Sequence, residues 1–387
     1  MKIERFEDIQ EDFNKIYNQA EIVSKKDSGF IKYIDSQLKQ TKQPMHLHII
    51  NPLEYTGWDD LLLAGGDKSF FHTSAWARVL VESYNYKPLY FTQITDGRVT
   101  LLFPFMEIES IITGKRGVSL PFTDFCSPMA SDKETFKDAM EQIIAHGRNS
   151  GWKHIDLRGG GEHMVGVTPS LTHYTHDLTI NKDEKEIFNN FKDNTRRNIK
   201  KAIKEGVEIT LDNSFESIKN FFQLNCVTRK RHGLPPQPLR FFKKIYEYII
   251  LEKKGFVSLA SYKKKIIAGA VFFHFGKNVI FKYAAFDINY SYLRPNNLLL
   301  WESIRSCLNN GFVNLNFGTT DLDDKGLLQF KRTWGVKEDI LNYYRYDIVK
   351  EAFVKDEFRA KTSYPLFRNM PSSLLNLTGS LIYRHFG

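Results

Sequence analysis

The residues best suited to chemistry lie in Leu327-Leu328-Gln329-Phe330-Lys331-Arg332-Thr333-Trp334-Gly335. An apolar helical turn here carries Lys331 just behind Phe330. It follows a strand-like run ending Asn316-Phe317-Gly318 and an acidic loop with Asp321, Asp323 and Asp324. A lysine fixed where a strand passes into a loop can aim a positive charge at a developing oxyanion. Asp321 or Asp323 can take a proton from an attacking amine, directly or through water. Taken alone, the lysine reads more plainly as a solvated residue and the loop as a solvated acidic turn.

A second group is basic. In Phe191 to Lys204, Arg196, Lys200 and Lys204 stand at i, i+4 and i+8, with Arg197 and Lys201 as a neighbouring stripe. Like charges at this spacing repel in an isolated helix, so the stripe suits a polyanion such as a phosphate-bearing substrate; a solvated face is the plainer reading. Asp124, in the loop after a strand, joins the expected substrate contacts. A third group is the turn Arg294-Pro295-Asn296-Asn297, between a strand and a helix, where backbone N–H groups can cradle a pyrophosphate. The glycines that usually permit that approach are missing, and an ordinary capped turn is the competing reading. His173 and His176 stand at i, i+3 without a third ligand, so no metal site is expected. No Walker sequence, H-E-x-x-H or G-x-S-x-G elbow occurs.

These groups need a scaffold. The chain has 387 residues, enough for two or three domains, with 42% apolar and 26% charged residues, as in ordinary globular proteins. Against 45 acidic residues stand 54 Lys and Arg, a net charge of +9 that favours anionic partners. Three scattered cysteines, with no C-x-x-C, suggest a reducing, cytosolic setting. No apolar N-terminal leader and no long apolar run suggest a signal peptide or a membrane span.

Along the chain, residues 1–60 read as a polar extension of helices and loops. A helix capped by Thr73 or Ser74 follows, then a hairpin about Asp96-Gly97 and a strand over Val118–Cys126. A helix with a Ser131/Glu134 capping box carries Phe136, Met140, Ile143 and Ile144 on one face. A strand over 152–159 closes the series. The same order returns as a hairpin over 255–275, a strand at 279–287, a helix bearing Leu300, Ile304 and Cys307, and a strand at 312–318. Asn149-Ser150-Gly151-Trp152 and Asn309-Asn310-Gly311-Phe312 match at an offset of 160, so we read an internal duplication. The expected class is α+β (or α/β), each half a mixed sheet flanked by helices. The divisions are an extension over 1–60, domains over 61–180 and 181–349, and a basic helical tail over 350–387. That tail suits either the body of the protein or an anionic membrane surface.

At these residues the chain resembles the Fem-type peptidyltransferases and their relatives in the GNAT acyltransferase superfamily. The resemblance rests on Phe71-His72-Thr73-x-x-Trp76, on Thr195-Arg196-Arg197-Asn198-Ile199-Lys200-Lys201-Ala202 with Gly206-Val207, on Asn316-Phe317-Gly318, and on Phe330-Lys331 before Trp334-Gly335. It implies tandem GNAT-like domains, the second of them catalytic, with Phe330 and Lys331 at the acyl-transfer site and the lysine holding the tetrahedral intermediate. It implies that Arg196 or Arg197 grips the phosphates of a nucleotide-linked cell-wall precursor, and it brings Trp76 among the expected substrate contacts. Arg294, Asn296 and Asn297 are then the expected contacts of a co-substrate, acyl-CoA or aminoacyl-tRNA, with no cofactor tightly bound. The coiled-coil arm that some members insert is not expected between Gly206 and Gly255.

The implied activity is acyl or aminoacyl transfer to an amine of a cell-envelope precursor, a peptidoglycan stem peptide or an amino sugar. The implied partners are a nucleotide- or lipid-linked precursor and tRNA, and the setting is the cytoplasm, with peripheral contact at the inner membrane face left open. The alternative is a non-catalytic RNA- or anion-binding protein on a degenerate transferase scaffold.

Overall fold

The computed structural model describes residues 46–66, 69–181, 183–355 and 364–385; most of the expected N-terminal extension lies outside them. The first half of the chain holds β1 (His48–Ile50), α1 (Trp58–Ala64), α2 (Ser74–Tyr84), β2 (Lys87–Thr95), β3 (Arg98–Ser110), β4 (Gly114–Val118), α3 (Lys133–Asn149), β5 (His154–Arg158) and β6 (Leu171–Thr179). The second half opens with α4 (Glu184–Asn190), α5 (Asp193–Lys204), β7 (Glu208–Leu211), α6 (Phe215–Arg231) and α7 (Leu239–Ile245). It continues with β8 (Gly255–Tyr262), β9 (Lys265–Phe275), β10 (Asn278–Phe286), α8 (Pro295–Asn309), β11 (Asn314–Asp321), α9 (Lys325–Arg332), β12 (Lys337–Asp347) and β13 (Ala352–Val354). Two short helices, α10 (Pro365–Asn369) and α11 (Ser372–Ile382), follow.

The duplication is visible in the connections. Hairpin β2–β3, strand β4, helix α3 and strands β5 and β6 are matched by β8–β9, β10, α8, β11 and β12. In each half the strands flanking the helix pair in parallel, β4 with β5 and β10 with β11, over only two or three residues. All the strands among the described residues belong to one mixed sheet in the order β1-β2-β3-β4-β5-β12-β6-β11-β10-β9-β8-β7, with β13 on β12. This is the mixed α/β architecture of tandem GNAT-like units, but the halves are interleaved: β6 stands between β11 and β12.

Local chemistry explains most element ends. Thr73 caps α2 by accepting from the Trp76 N–H. Asp96 and Gly97 both have positive φ in the β2–β3 turn, as a two-residue hairpin turn requires. Two readings shift. The strand expected over Val118–Cys126 lies at Gly114–Val118 instead, because Leu120 and Phe122 adopt φ of 50° and 61° and break the extended run. The cap of α3 is Asp132, which accepts from the Thr135 N–H at 2.8 Å, not Ser131, whose hydroxyl donates to Asp132.

Two cores result. One, with Trp58, Trp76, Phe241 and Phe273, draws from both halves; the other holds Ile199, Trp301, Phe317 and Trp334. The tail packs on the body: Gly379 lies against the Pro236 carbonyl, where any Cβ would collide, and the Tyr383 hydroxyl donates to Pro235 O at 3.1 Å. Among the described residues no helix is long and apolar enough to cross a membrane.

Candidate active site

The candidate site forms where β10 and β11 part. Their parallel pairing stops at Ile280 and Asn316. β10 then bulges between Phe281 and Tyr283, and β11 slips register against β6 between Asn316 and Thr319. Gly318, at φ +70°, occupies the gap; a Cβ there would sit 3.1 Å from Asp124 Oδ1. A bulge re-aims the side chains around it, and here the re-aimed residue is Lys282.

Lys331 comes from α9. Leu328 and Lys331, three residues apart, share the face that α9 buries. Lys331 is only 4% exposed, and its Nζ donates to the carbonyls of Gly318 and Thr319, each at 3.0 Å. Burial pulls its pKa down to about 8, against an opposing pull from Asp124 and Asp324. An ammonium has three donors, so one remains after these two bonds.

Around it lies a linked set of polar groups. Lys282 Nζ is 2.6 Å from Asp124 Oδ2 in a largely buried pair, and burial lowers the lysine's pKa while Asp124 raises it. Asp124 Oδ1 accepts from the Thr319 hydroxyl at 3.4 Å. The Tyr343 hydroxyl donates to the Asp124 carbonyl, and burial pushes its phenol pKa up. Arg158 donates to Thr123 O at 2.9 Å with its guanidinium 5.7 Å from the Tyr343 ring centre. His173 Nδ1 lies 2.8 Å from Asp321 Oδ1, with its ring 4.6 Å from that of Tyr343.

The expected residues thus divide. Lys331, Asp124 and Asp321 belong to one neighbourhood. Asp323 is exposed, and Asp324 caps α9 by accepting from the Leu327 N–H at 3.0 Å. Phe330 is half-buried and packs edge-on against Trp334 at 5.9 Å, steadying the helix that carries the lysine. Trp76 is wholly buried among Phe71, Phe241 and Phe273; it presents no surface to a ligand, and the contact that the resemblance implied is core packing instead.

Arg196, Arg197 and Lys200 line a cavity of about 350 Å³ with Phe188, Asn189 and Asp193, and Arg196 pairs with Asp193. Lys201 lies outside that lining. The α5 end of this cavity is tied to the end of α9: the Thr195 hydroxyl donates to Thr333 Oγ1 at 2.7 Å and the Lys192 N–H to Thr333 O at 2.9 Å. At the turn, the backbone N–H groups of Arg294 and Asn297 are committed to their own chain. The Arg294 N–H donates to Ser291 O, Pro295 has no N–H, and the Asn297 N–H donates to Arg294 O, so this helix start offers a pyrophosphate little.

The sequence reading missed Lys282, Tyr343 and Arg158, and weighed His173 only as a metal ligand. Lys282 had left a trace, a lone charge inside the apolar run Val279–Phe286.

Residues 189–332 match the family model described as an acetyltransferase (GNAT) domain. The chain is 23% identical to the UDP-N-acetylmuramoylpentapeptide-lysine N(6)-alanyltransferase of Weissella viridescens, a match covering 46% of this chain and only 48% of that relative. It is 22% identical to the lipid II:glycine glycyltransferase of Staphylococcus haemolyticus (strain JCSC1435), over 72% of this chain and 81% of the relative. In fold it is similar to the crystal structure of FemX, with a TM-score of 0.60 at 14% identity, over 77% of this chain and 97% of that one. The resemblance drawn from the sequence motifs is borne out.

Proposed function

From that Fem-type, GNAT-like relationship, we propose that the protein is an acyltransferase that forms an amide on an amine of a cell-envelope precursor, working at the inner face of the membrane. The observation that carries the reading is Lys331, a buried ammonium with two of its three donors committed to the backbone beside a splayed strand pair. The two curated relatives are named for transfer to a muramoylpentapeptide and to lipid II, which supports a nucleotide- or lipid-linked precursor as the acceptor.

The proposed donor is an aminoacyl ester of tRNA. The commitment of the Arg294 and Asn297 N–H groups to their own chain argues against acyl-CoA, and the basic cavity of α5 suits phosphates. The acceptor amine attacks the ester carbonyl, forming the C–N bond, and the carbonyl oxygen becomes an oxyanion. The remaining donor of Lys331 stabilises that charge, a contribution of roughly 3 kcal/mol. An unperturbed amine of pKa ~10.4 must shed a proton; Asp321, paired with His173, accepts it directly or through water, with Asp323 as the more exposed alternative. Collapse breaks the C–O bond and the ribose hydroxyl leaves with a proton. Arg196, Arg197 and Lys200 hold substrate phosphates. Asp124, paired with Lys282, fixes the Gly318–Thr319 segment whose carbonyls hold Lys331.

Thermal unfolding with acyl-CoA, aminoacyl-tRNA and a nucleotide-linked muropeptide tests this. A ligand at 100 times its Kd stabilises by about 2.7 kcal/mol. Stabilisation by the tRNA and the muropeptide is expected; stabilisation by acyl-CoA alone would replace the donor. Binding of tRNA without any transfer would favour an RNA-binding protein on a transferase scaffold.

A further inference from the structure

We propose that α11 and the β3–β4 turn together form a docking surface for an anionic lipid bilayer. α11 buries Leu375 and Gly379 against the body, while Leu374, Leu377 and Leu381 stand exposed on the other side. Positions 375 and 379 share one helical face, and 374, 377 and 381 fall on the opposite one at i, i+3 and i+7. Leu366 on α10, 71% exposed, precedes them.

A second apolar element lies beside the helix end. In the β3–β4 turn, Ile111 is 97% exposed and Ile112 61%. The turn is fastened to the tail just past α11: Ser110 Oγ is 3.0 Å from His385 Nδ1, the Thr113 hydroxyl donates to His385 O at 3.1 Å, and Arg116 donates to the same carbonyl at 2.9 Å. Two segments more than 250 residues apart in sequence are thus tied together, each bearing exposed aliphatic side chains.

Charge selects the occupant. From Tyr364 to His385 the chain contains Arg368 and Arg384 and no Asp or Glu, and the whole chain is at +9. Near the turn, Glu107 is held by Trp152 Nε1 at 2.7 Å and Lys115 at 3.3 Å, and Glu109 faces Lys115 in register. Exposed aliphatic residues flanked by arginine suit a helix lying in an anionic lipid–water interface. For a lipid-linked acceptor, and here the inference rests on the reading above, such docking would hold the protein at the bilayer that carries the acceptor.

The test uses the full chain and vesicles, without substrate, so that its failure is separable from failure of the transferase reading. Co-sedimentation is measured with phosphatidylglycerol–phosphatidylcholine vesicles and with phosphatidylcholine alone. The protein is expected to partition onto the anionic vesicles and to lose roughly tenfold or more of that partition in Leu374→Ser/Leu377→Ser/Leu381→Ser, and separately in Ile111→Ser/Ile112→Ser. These side chains are exposed, and an unchanged unfolding temperature shows that the fold persists. Absence of vesicle binding, binding that survives both variants, or a dimer in light scattering that the leucine variant turns into a monomer would each overturn the proposal.

Discussion

Lys331 Nζ stands 3.0 Å from the carbonyl oxygen of Gly318, so a charged side chain on one helix is held by the backbone of the strand it packs against. Burying an ammonium costs stability, and a purely structural position would favour an aliphatic residue. Lys331→Met is therefore expected to unfold at the same or a higher temperature than the parent chain while transferring its acyl group about a hundredfold more slowly. Single-turnover rates together with calorimetry decide it: near-parent turnover removes Lys331 from the mechanism.

The pH dependence has a definite sign. The unfolded lysine titrates near ~10.4, and in the fold the value falls to about 8. Below about pH 8 both states hold the proton and the fold bears the whole cost of burying the charge, about 3 kcal/mol. Between 8 and ~10.4 the unfolded state binds more protons, so this group's contribution to stability rises with pH. Activity moves the other way, since only the ammonium stabilises an oxyanion. kcat/KM is expected to fall as pH rises through about 8, and Lys331→Met is expected to lack that limb of the profile.

Lys282 and Asp124 form a buried pair at 2.6 Å. Removing one partner strands a charge in the interior, which costs about 3–5 kcal/mol. Asp124→Asn is expected to destabilise by that order and to slow transfer by loosening the Gly318–Thr319 segment. Asp124→Asn/Lys282→Met should recover most of the stability. A double-mutant cycle by urea unfolding measures the coupling; strictly additive losses would mean the two charges act independently.

The basic face of α5 predicts a salt effect. Arg197→Ala/Lys200→Ala is expected to raise KM for a phosphate-bearing substrate about tenfold, leave kcat nearly unchanged, and flatten the dependence of log KM on log salt. Lys201→Ala, outside the cavity lining, serves as the control. Equal effects from the control would reassign the stripe to a general electrostatic field.

Much of this is legible in the sequence, because it is local. The Asp96-Gly97 turn, the repeated helix-stop grammar at Gly151 and Gly311, and the apolar stripe of α9 each follow from short-range periodicity and turn chemistry. What escaped depends on distant partners or on backbone geometry. Leu120 and Phe122 at positive φ carry no sequence signal. Asp124 and Lys282 are 158 residues apart and meet only because a bulge turns one toward the other. Trp76 fits a binding residue as well as a core one until its neighbours are known.

The placement of β6 between β11 and β12 has a consequence for how the chain acquires its shape. Leu178 pairs with Leu315, and His173 with Leu341, so the middle of the sheet joins segments separated by well over a hundred residues. Contacts of such high order slow folding, because a long loop must close before they form. On the ribosome, the first half would wait with both long edges of β6 unpaired until β11 and β12 had emerged. For that interval it carries exposed strand edges, the kind of surface that holdase chaperones cover and that aggregates when they do not.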